Sequence, residues 1–306
     1  MPLVTTKGML LDAHKKNYAV GAFNANNLEM AQGIVAAAEE ENAPVIVEVS
    51  QGGLNHGGIA EMSALIRALA EKANVPVALH LDHGMDFFHN ILCLREQFTS
   101  LMFDGSQLSY EENVAITKDI VKIAHMVNIP VEAELGKVPK DPDEMNFEEL
   151  KQYMTEPDEA LNFVEQTGID FLAVSVGSMH KMKVREAILE IDRIKNLRET
   201  VDVPLVLHGS SGVDEDSVKK SIKAGISKIN VHTYLAQNFT RGMKKYLNEN
   251  PDAIDLRKYM SAGREALKEA VRHKIRLFNS HNKADKIGKI NVDVKSDDIE
   301  RVDSIE

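Results

Sequence analysis

Residues 75–84 read "VPVALHLDHG". A short apolar run opens at Pro76, passes through His80, and stops at Gly84 directly after Asp82 and His83. Length, apolar content and the closing glycine predict a buried strand. An amphipathic pattern follows it, "FFHNILCLREQF" (87–98), and another precedes it, "IAEMSALIRALAEKAN" (59–74). A near-continuous apolar strand between two helices is the unit of a parallel sheet covered by helices. The crowding of an acid and an imidazole at its C-terminal end is what a purely structural strand would not need.

The same unit recurs along the chain. The predicted strands are "AVGAFN" (19–24), "PVIVEVS" (44–50), the 75–84 run, "TSLMFDGS" (99–106), "PVEAELG" (130–136), "DFLAVSVGS" (170–178), "VPLVLHGSSG" (203–212) and "SKINVHT" (227–233). A helical pattern follows each one. Eight strand–helix units in about 250 residues predict an α/β fold, a (β/α)₈ TIM barrel. A doubly wound open sheet is the alternative, disfavoured because no composition break divides the chain. The expected organisation is one barrel domain with C-terminal helices over 1–280, then a charged tail, 281–306, disordered or at a subunit contact. After strand five comes an acidic insertion, "KVPKDPDEMNFEELKQYMTE" (137–156), placed where a lid would close.

Composition narrows the class. The 306 residues carry a net charge of −11, which argues against nucleic-acid binding and against a basic membrane-surface protein. No apolar run is long enough to span a membrane. The single Cys93 lies among apolar neighbours and reads as a buried helix residue. The N-terminus lacks a leader pattern, so a cytoplasmic location is expected.

In such a barrel the active site lies at the C-terminal strand ends. Those ends carry Asp82 and His83 (strand three), Asp104 (four), Glu132 and Glu134 (five), His180 (six), His208 (seven), and Asn230 and His232 (eight). Four of the eleven histidines therefore fall on one rim. Imidazoles converging on a rim suit Zn²⁺ with an open coordination position. His80, one strand period before Asp82, faces the same side but deeper. His14, His125 and His273 sit in helical runs and read as surface or packing residues. The turn "HGSSG" (208–212) exposes backbone N–H groups ahead of a helix, which suits an anion, with Asn230 and Thr233 completing the cradle.

With these residues assembled, the chain resembles the class II, zinc-dependent aldolases of the fructose-bisphosphate/tagatose-bisphosphate family. The resemblance spans nearly all of 1–280 and rests on "GAFNANN", "HLDHG", "EENVAITK", "VEAELG", "LVLHGSSG", "KIN" and "DLRKYM". It implies one catalytic Zn²⁺ on His83, His180 and His208, with Glu134 and Asp104 as carboxylates at an alternative metal position. It implies Asp82 as the group that moves the C4-hydroxyl proton. Gly209, Ser211, Asn230 and Thr233 match groups around the ketose-derived phosphate. Ser50 and Arg257 match substrate positions, Arg257 reaching across from a neighbouring subunit. A homodimer or homotetramer acting on a sugar phosphate is implied, and a monovalent cation is admitted as a further ion.

Four positions depart from the family pattern. The lid reads "KVPKDPDE" (137–144), with Pro142 near the place of the catalytic glutamate, so Asp141, Asp143 or Glu144 is the expected substitute base. After His180 stands "KMKVREA", which puts Lys181 where glycine is usual; Lys181 or Lys183 is the expected source of charge for the phosphate. His232 and Ser210 are the third and fourth departures. With Asp82 and the metal residues kept and the lid altered, the expected activity is cleavage of a ketose (bis)phosphate to dihydroxyacetone phosphate and an aldehyde other than glyceraldehyde 3-phosphate. The alternatives are an ordinary fructose-1,6-bisphosphate aldolase and a catalytically weakened protein that binds metal and sugar phosphate.

Overall fold

A computed structural model describes residues 3–138, 147–178 and 187–286. Asp141, Asp143, Glu144, His180, Lys181, Lys183 and the tail from 287 lie outside the described residues. Eight parallel strands occur where expected: β1 Val20–Asn24, β2 Val45–Ser50, β3 Val77–Asp82, β4 Leu101–Phe103, β5 Val131–Leu135, β6 Phe171–Val174, β7 Leu205–Leu207 and β8 Ile226–Val231. Their order in the sheet is β3-β2-β1-β8-β7-β6-β5-β4. The seam between β3 and β4 closes the barrel. There Leu81 N–H donates to Ser100 O (3.1 Å) and Gly84 N–H to Met102 O (3.2 Å).

Local chemistry fixes the helices on the outside. The helix Leu28–Glu40 starts where Asn27 Oδ1 accepts Met30 N–H at 2.9 Å. The helix Tyr110–His125 begins with a Ser109/Glu112 capping box. The helix Pro157–Thr167 has proline in its first turn and stops at Gly168 with φ 71°. Strand residues facing outward, such as Val47, Leu79, Ala133 and Leu172, pack with these helices. Cys93 is buried there, and burial pushes its thiol up to about 12, as befits an inert core residue. Among the described residues no helix is long and apolar enough to cross a membrane. Residues 281–284 are not detached: Asn282 N–H donates to Glu41 O and Ala284 is buried.

Residues facing inward form layers. At the bottom, Val20, Ala22, Ile46, Ala78, Met102, Phe171, Ala173 and Val206 pack together with Met9, Leu10 and Ala13 of the helix Thr6–Lys16. That helix is a floor to the barrel, and it had no counterpart in the strand–helix pattern. Above the apolar layer the interior turns polar. Glu48, His80, Glu132 and Lys228 are fully buried, and over them stand Asn24, Asp82, His208 and Asn230. Period-two alternation makes this change abrupt, since each strand sends one side chain to each layer.

Gly84 controls the seam below the site. A Cβ there would stand 2.5 Å from Met102 O and 2.6 Å from Asn90 Nδ2. We expect Gly84→Ala to cost about 1–3 kcal/mol through overpacking against backbone, read as a lower melting temperature. An unchanged melting temperature would mean that β3 and β4 do not meet this closely.

Candidate active site

Asp82 ends β3 at the upper rim and is almost fully buried. Its two oxygens accept one amide each, from Asn24 Nδ2 (2.8 Å) at the end of β1 and from Asn230 Nδ2 (2.9 Å) on β8. Burial opposes its charge, but His83, His208, Lys228 and the Asn24 amide outweigh that, so the carboxyl is held well below its usual range. Asp82 is therefore held ionised and fixed in orientation.

His83 follows in the left-handed region at φ 46°. That turn swings its ring over the barrel mouth. Its Nδ1 lies 2.8 Å from Asp104 Oδ2, and its Nε2 lies 3.1 Å from His208 Nδ1 and 3.8 Å from Asp82 Oδ1. Burial lowers its basicity, but Asp82, the bond to Asp104 and Glu134 more than reverse this and raise it to about 10. His208, at the end of β7, puts Nε2 at 2.9 Å from Glu132 Oε1 and Nδ1 at 3.4 Å from Glu134 Oε2. The two rings meet edge to face, centroids 4.7 Å apart and planes at 81°.

Each imidazole thus has one nitrogen tied to a carboxylate and the other turned to a common point. This is the arrangement that fixes tautomer and ring direction in histidine metal ligands. Asp82, His83 and His208 form one group that could hold a metal ion; His83, Asp104 and Glu134 form a second, sharing His83. Mixed nitrogen and oxygen donors of this kind fit zinc.

A cavity of about 420 Å³ opens above this cluster. Ser50, Gly209, Ser211, Asn230 and Thr233 line it together with Asn24, Asp82 and His83. Gly209 has φ 66° and leads into a single 3₁₀ turn, Ser210–Gly212. The helix Thr233–Glu249 starts beside it without a side-chain cap from His232; Tyr234 N–H donates to Ser211 Oγ (3.4 Å), and the positive end of the helix lies on the cavity side. Ser210 Oγ donates to Asn230 O at 2.5 Å and pins the turn to β8.

The family described as "Fructose-bisphosphate aldolase class-II" matches residues 4–283. The chain belongs to that family. It is an enzyme of the lyase class. It is 41% identical over 284 residues to the sulfofructosephosphate aldolase of Alkalicoccus urumqiensis, covering 93% of this chain and 99% of that one. It is 40% identical to the fructose-bisphosphate aldolase of Thermus caldophilus, covering 92% and 100%. Among solved structures, the YdjI aldolase from Escherichia coli K12 superposes with a TM-score of 0.81 at 37% identity, covering 92% of this chain and 99% of that one.

In this class II aldolase the expected site residues fall into four groups. Asp82, His83, His208, Asp104 and Glu134 are brought together, and Ser50, Gly209, Ser211, Asn230 and Thr233 line the cavity above them. Two of the lining residues also bond within the protein. The Asn230 amide is committed to Asp82, and Ser50 Oγ accepts Gly53 N–H (3.2 Å) as the cap of the helix Gln51–Gly57. Arg257 stands apart, exposed at the start of the last long helix and paired with Asp255 through Nε (2.9 Å) and Nη2 (3.0 Å). His180, Lys181, Lys183, Asp141, Asp143 and Glu144 lie outside the described residues.

Three contributors carried no role in the sequence. Asn24 was visible in "GAFNANN" only as part of a motif. Glu48 is the one charged residue of "PVIVEVS", and Lys228 stands two residues before Asn230, hence on the same inward face. A charged residue at inward parity in an apolar strand was the available signal for both. His125 and His273 pair with Asp170 and Glu215 at the surface, as helical spacing implied.

Proposed function

We propose that this chain is a zinc-dependent class II aldolase that reversibly cleaves a ketose phosphate to dihydroxyacetone phosphate and an aldehyde. One observation carries the proposal: an ionised carboxylate, Asp82, fixed by two amides, stands 3.8 Å from the histidine nitrogen that faces His208. His83 and His208, with His180 as the third ligand, would hold the ion, and Glu134 and Asp104 support it. When bound, zinc supplies a Lewis acid that stabilises negative charge on a carbonyl oxygen.

The residues of the chain do the rest. The Gly209–Ser211 turn and the N–H groups opening the helix Thr233–Glu249 bind the phosphate of the ketose. Asp82 accepts the proton of the C4 hydroxyl as the C3–C4 bond breaks. C4 leaves as the aldehyde carbon, and the electron pair left on C3 spreads to the C2 carbonyl. Asn24 and Asn230 keep Asp82 aimed through this transfer. Asp143 or Glu144 then returns a proton to C3 and completes dihydroxyacetone phosphate; synthesis runs the steps in reverse. Ser50 serves the aldehyde side, and Arg257 acts from a neighbouring copy in a homodimer or homotetramer.

The altered segments 137–144 and 180–187 support an aldehyde other than glyceraldehyde 3-phosphate. The names of the relatives agree in a phosphorylated fructose and differ in its second acidic group, a sulfo group in one and a phosphate in the other. The second of these names favours ordinary fructose-1,6-bisphosphate cleavage as the second reading. The test is proton–deuterium exchange at the hydroxymethyl carbon of dihydroxyacetone phosphate, followed by NMR in D₂O. Exchange is expected with zinc-loaded protein and not after chelation. No exchange with zinc confirmed in the protein would mean that the donor is something else or that the chain no longer performs this chemistry.

A further inference from the structure

The centre of the barrel holds a buried group that the proposed reaction does not use. Lys228 Nζ lies 2.8 Å from Glu132 Oε2, 3.2 Å from His80 Nε2 and 3.8 Å from Glu48 Oε2, and all four side chains have no solvent exposure. Among the described residues two lysines are buried, Lys228 and Lys274, and only Lys228 is inside the barrel.

Donor and acceptor counting gives every bond around it one direction. An ammonium only donates. His80 must therefore accept at Nε2 and carry its proton on Nδ1, which meets Ser100 Oγ at 2.8 Å; Ser100 Oγ in turn accepts from Thr6 Oγ1 at 2.8 Å. Glu132 gives Oε2 to Lys228 and is left with Oε1, an acceptor, 2.9 Å from His208 Nε2. His208 must then carry its proton on Nε2 and turn Nδ1 toward His83. Glu48 competes for the same ammonium but at 3.8 Å, and neither of its oxygens has a hydrogen bond among the described residues. Lys228 is thus committed to Glu132.

We propose that Lys228 is a positioning residue of the metal site: by anchoring one oxygen of Glu132 it fixes His208 as the Nε2–H tautomer and presents His208 Nδ1 to the ion. This inference rests on the metal site proposed above. It makes a prediction of opposite sign in two backgrounds. In Glu132→Gln the amide has a single acceptor oxygen. Lys228 takes it, so the amide NH₂ turns to His208, donates to Nε2 and forces the proton onto Nδ1, the nitrogen the ion needs. Removing Lys228 is therefore harmful beside Glu132 but helpful beside Gln at that position.

The experiment uses the full chain as wild type, Lys228→Met, Glu132→Gln and the double variant. The tautomer of His208 is read from imidazole ¹⁵N shifts of zinc-free protein, and Zn²⁺ affinity from chelator competition. Wild type should show Nε2–H. Lys228→Met should show both tautomers and bind zinc about 10–100-fold more weakly, the usual cost of losing a residue that orients a ligand. Glu132→Gln should invert the tautomer and bind most weakly, and the double variant should bind more tightly than Glu132→Gln. Additive losses in the double variant, or an unchanged tautomer in Glu132→Gln, would overturn the proposal. If Lys228→Met does not fold, the isosteric Glu132→Gln and the charge-balanced double variant decide alone. Wild type that binds no zinc would refute the metal site instead, while the zinc-free tautomers would still test the role of Lys228.

Discussion

Replacing Asp82 by alanine is expected to lower the turnover of carbon–carbon bond cleavage by about 10²–10⁴-fold, the range for losing a general base, while zinc stays bound. The carboxylate makes its close bonds to Asn24 and Asn230, and the nearest His83 nitrogen is 3.8 Å away. The bonds that orient His83 and His208 run to Asp104 and Glu132 and survive the change. Because a different group is proposed to act at C3, the Asp82→Ala protein should still exchange the C3 proton of dihydroxyacetone phosphate in D₂O. Asp82→Asn should be nearly as slow, since an amide cannot take a proton and must turn its NH₂ toward a donor amide of Asn24 or Asn230. Cleavage within tenfold of wild type in either variant would remove Asp82 from the reaction.

The second large effect belongs to the two histidines. His83→Ala and His208→Ala should each lose the ion on dialysis, from about one zinc per chain to none, and with it both cleavage and exchange. His125→Ala and His273→Ala serve as controls, because those rings pair with Asp170 and Glu215 at the surface, away from the cavity. Metal analysis of the dialysed proteins separates the outcomes. Full zinc retention in both rim variants would place the ion elsewhere.

Much of this architecture was readable before any coordinate. Parallel strands buried on both faces leave apolar runs that alternate with amphipathic helices, and all eight of these runs became strands. Asp82, His83 and His208 were legible because a polar side chain ending such a run has only the rim to occupy. The partners of these residues were not legible. Glu132 meets His208 from two strands away, and Lys228 meets Glu132 across the barrel, so their contact depends on closure and on the stagger between strands. Ser227 is an extra residue in β8, opposite the Leu205–Val206 step of β7; it shifts that register locally, and no pattern in "SKINVHT" announces it. The floor helix was missed for another reason. It belongs to no strand–helix unit, and its apolar face matters only once a bottom layer exists for it to cover.

That floor has a consequence for how the chain comes together in time. The helix Thr6–Lys16 precedes all eight strands in the chain, yet its anchors are made late. Val4 N–H donates to Val77 O, Thr6 Oγ1 to Ser100 Oγ and Lys7 Nζ to Asp170 Oδ1, the last two partners being 94 and 163 residues downstream. Contacts of such separation are formed only after long loops have been closed, which slows folding. A nascent chain that has not reached β8 has unpaired strand edges at β1 and β7, and its first helix has only part of the layer it will cover. The active-site rim, drawn from Asn24 through Asn230, is completed by the same closing event. Completion of the rim and cover for these strand edges are therefore acquired together, once β8 is in place, and a chain that stops before β8 has neither.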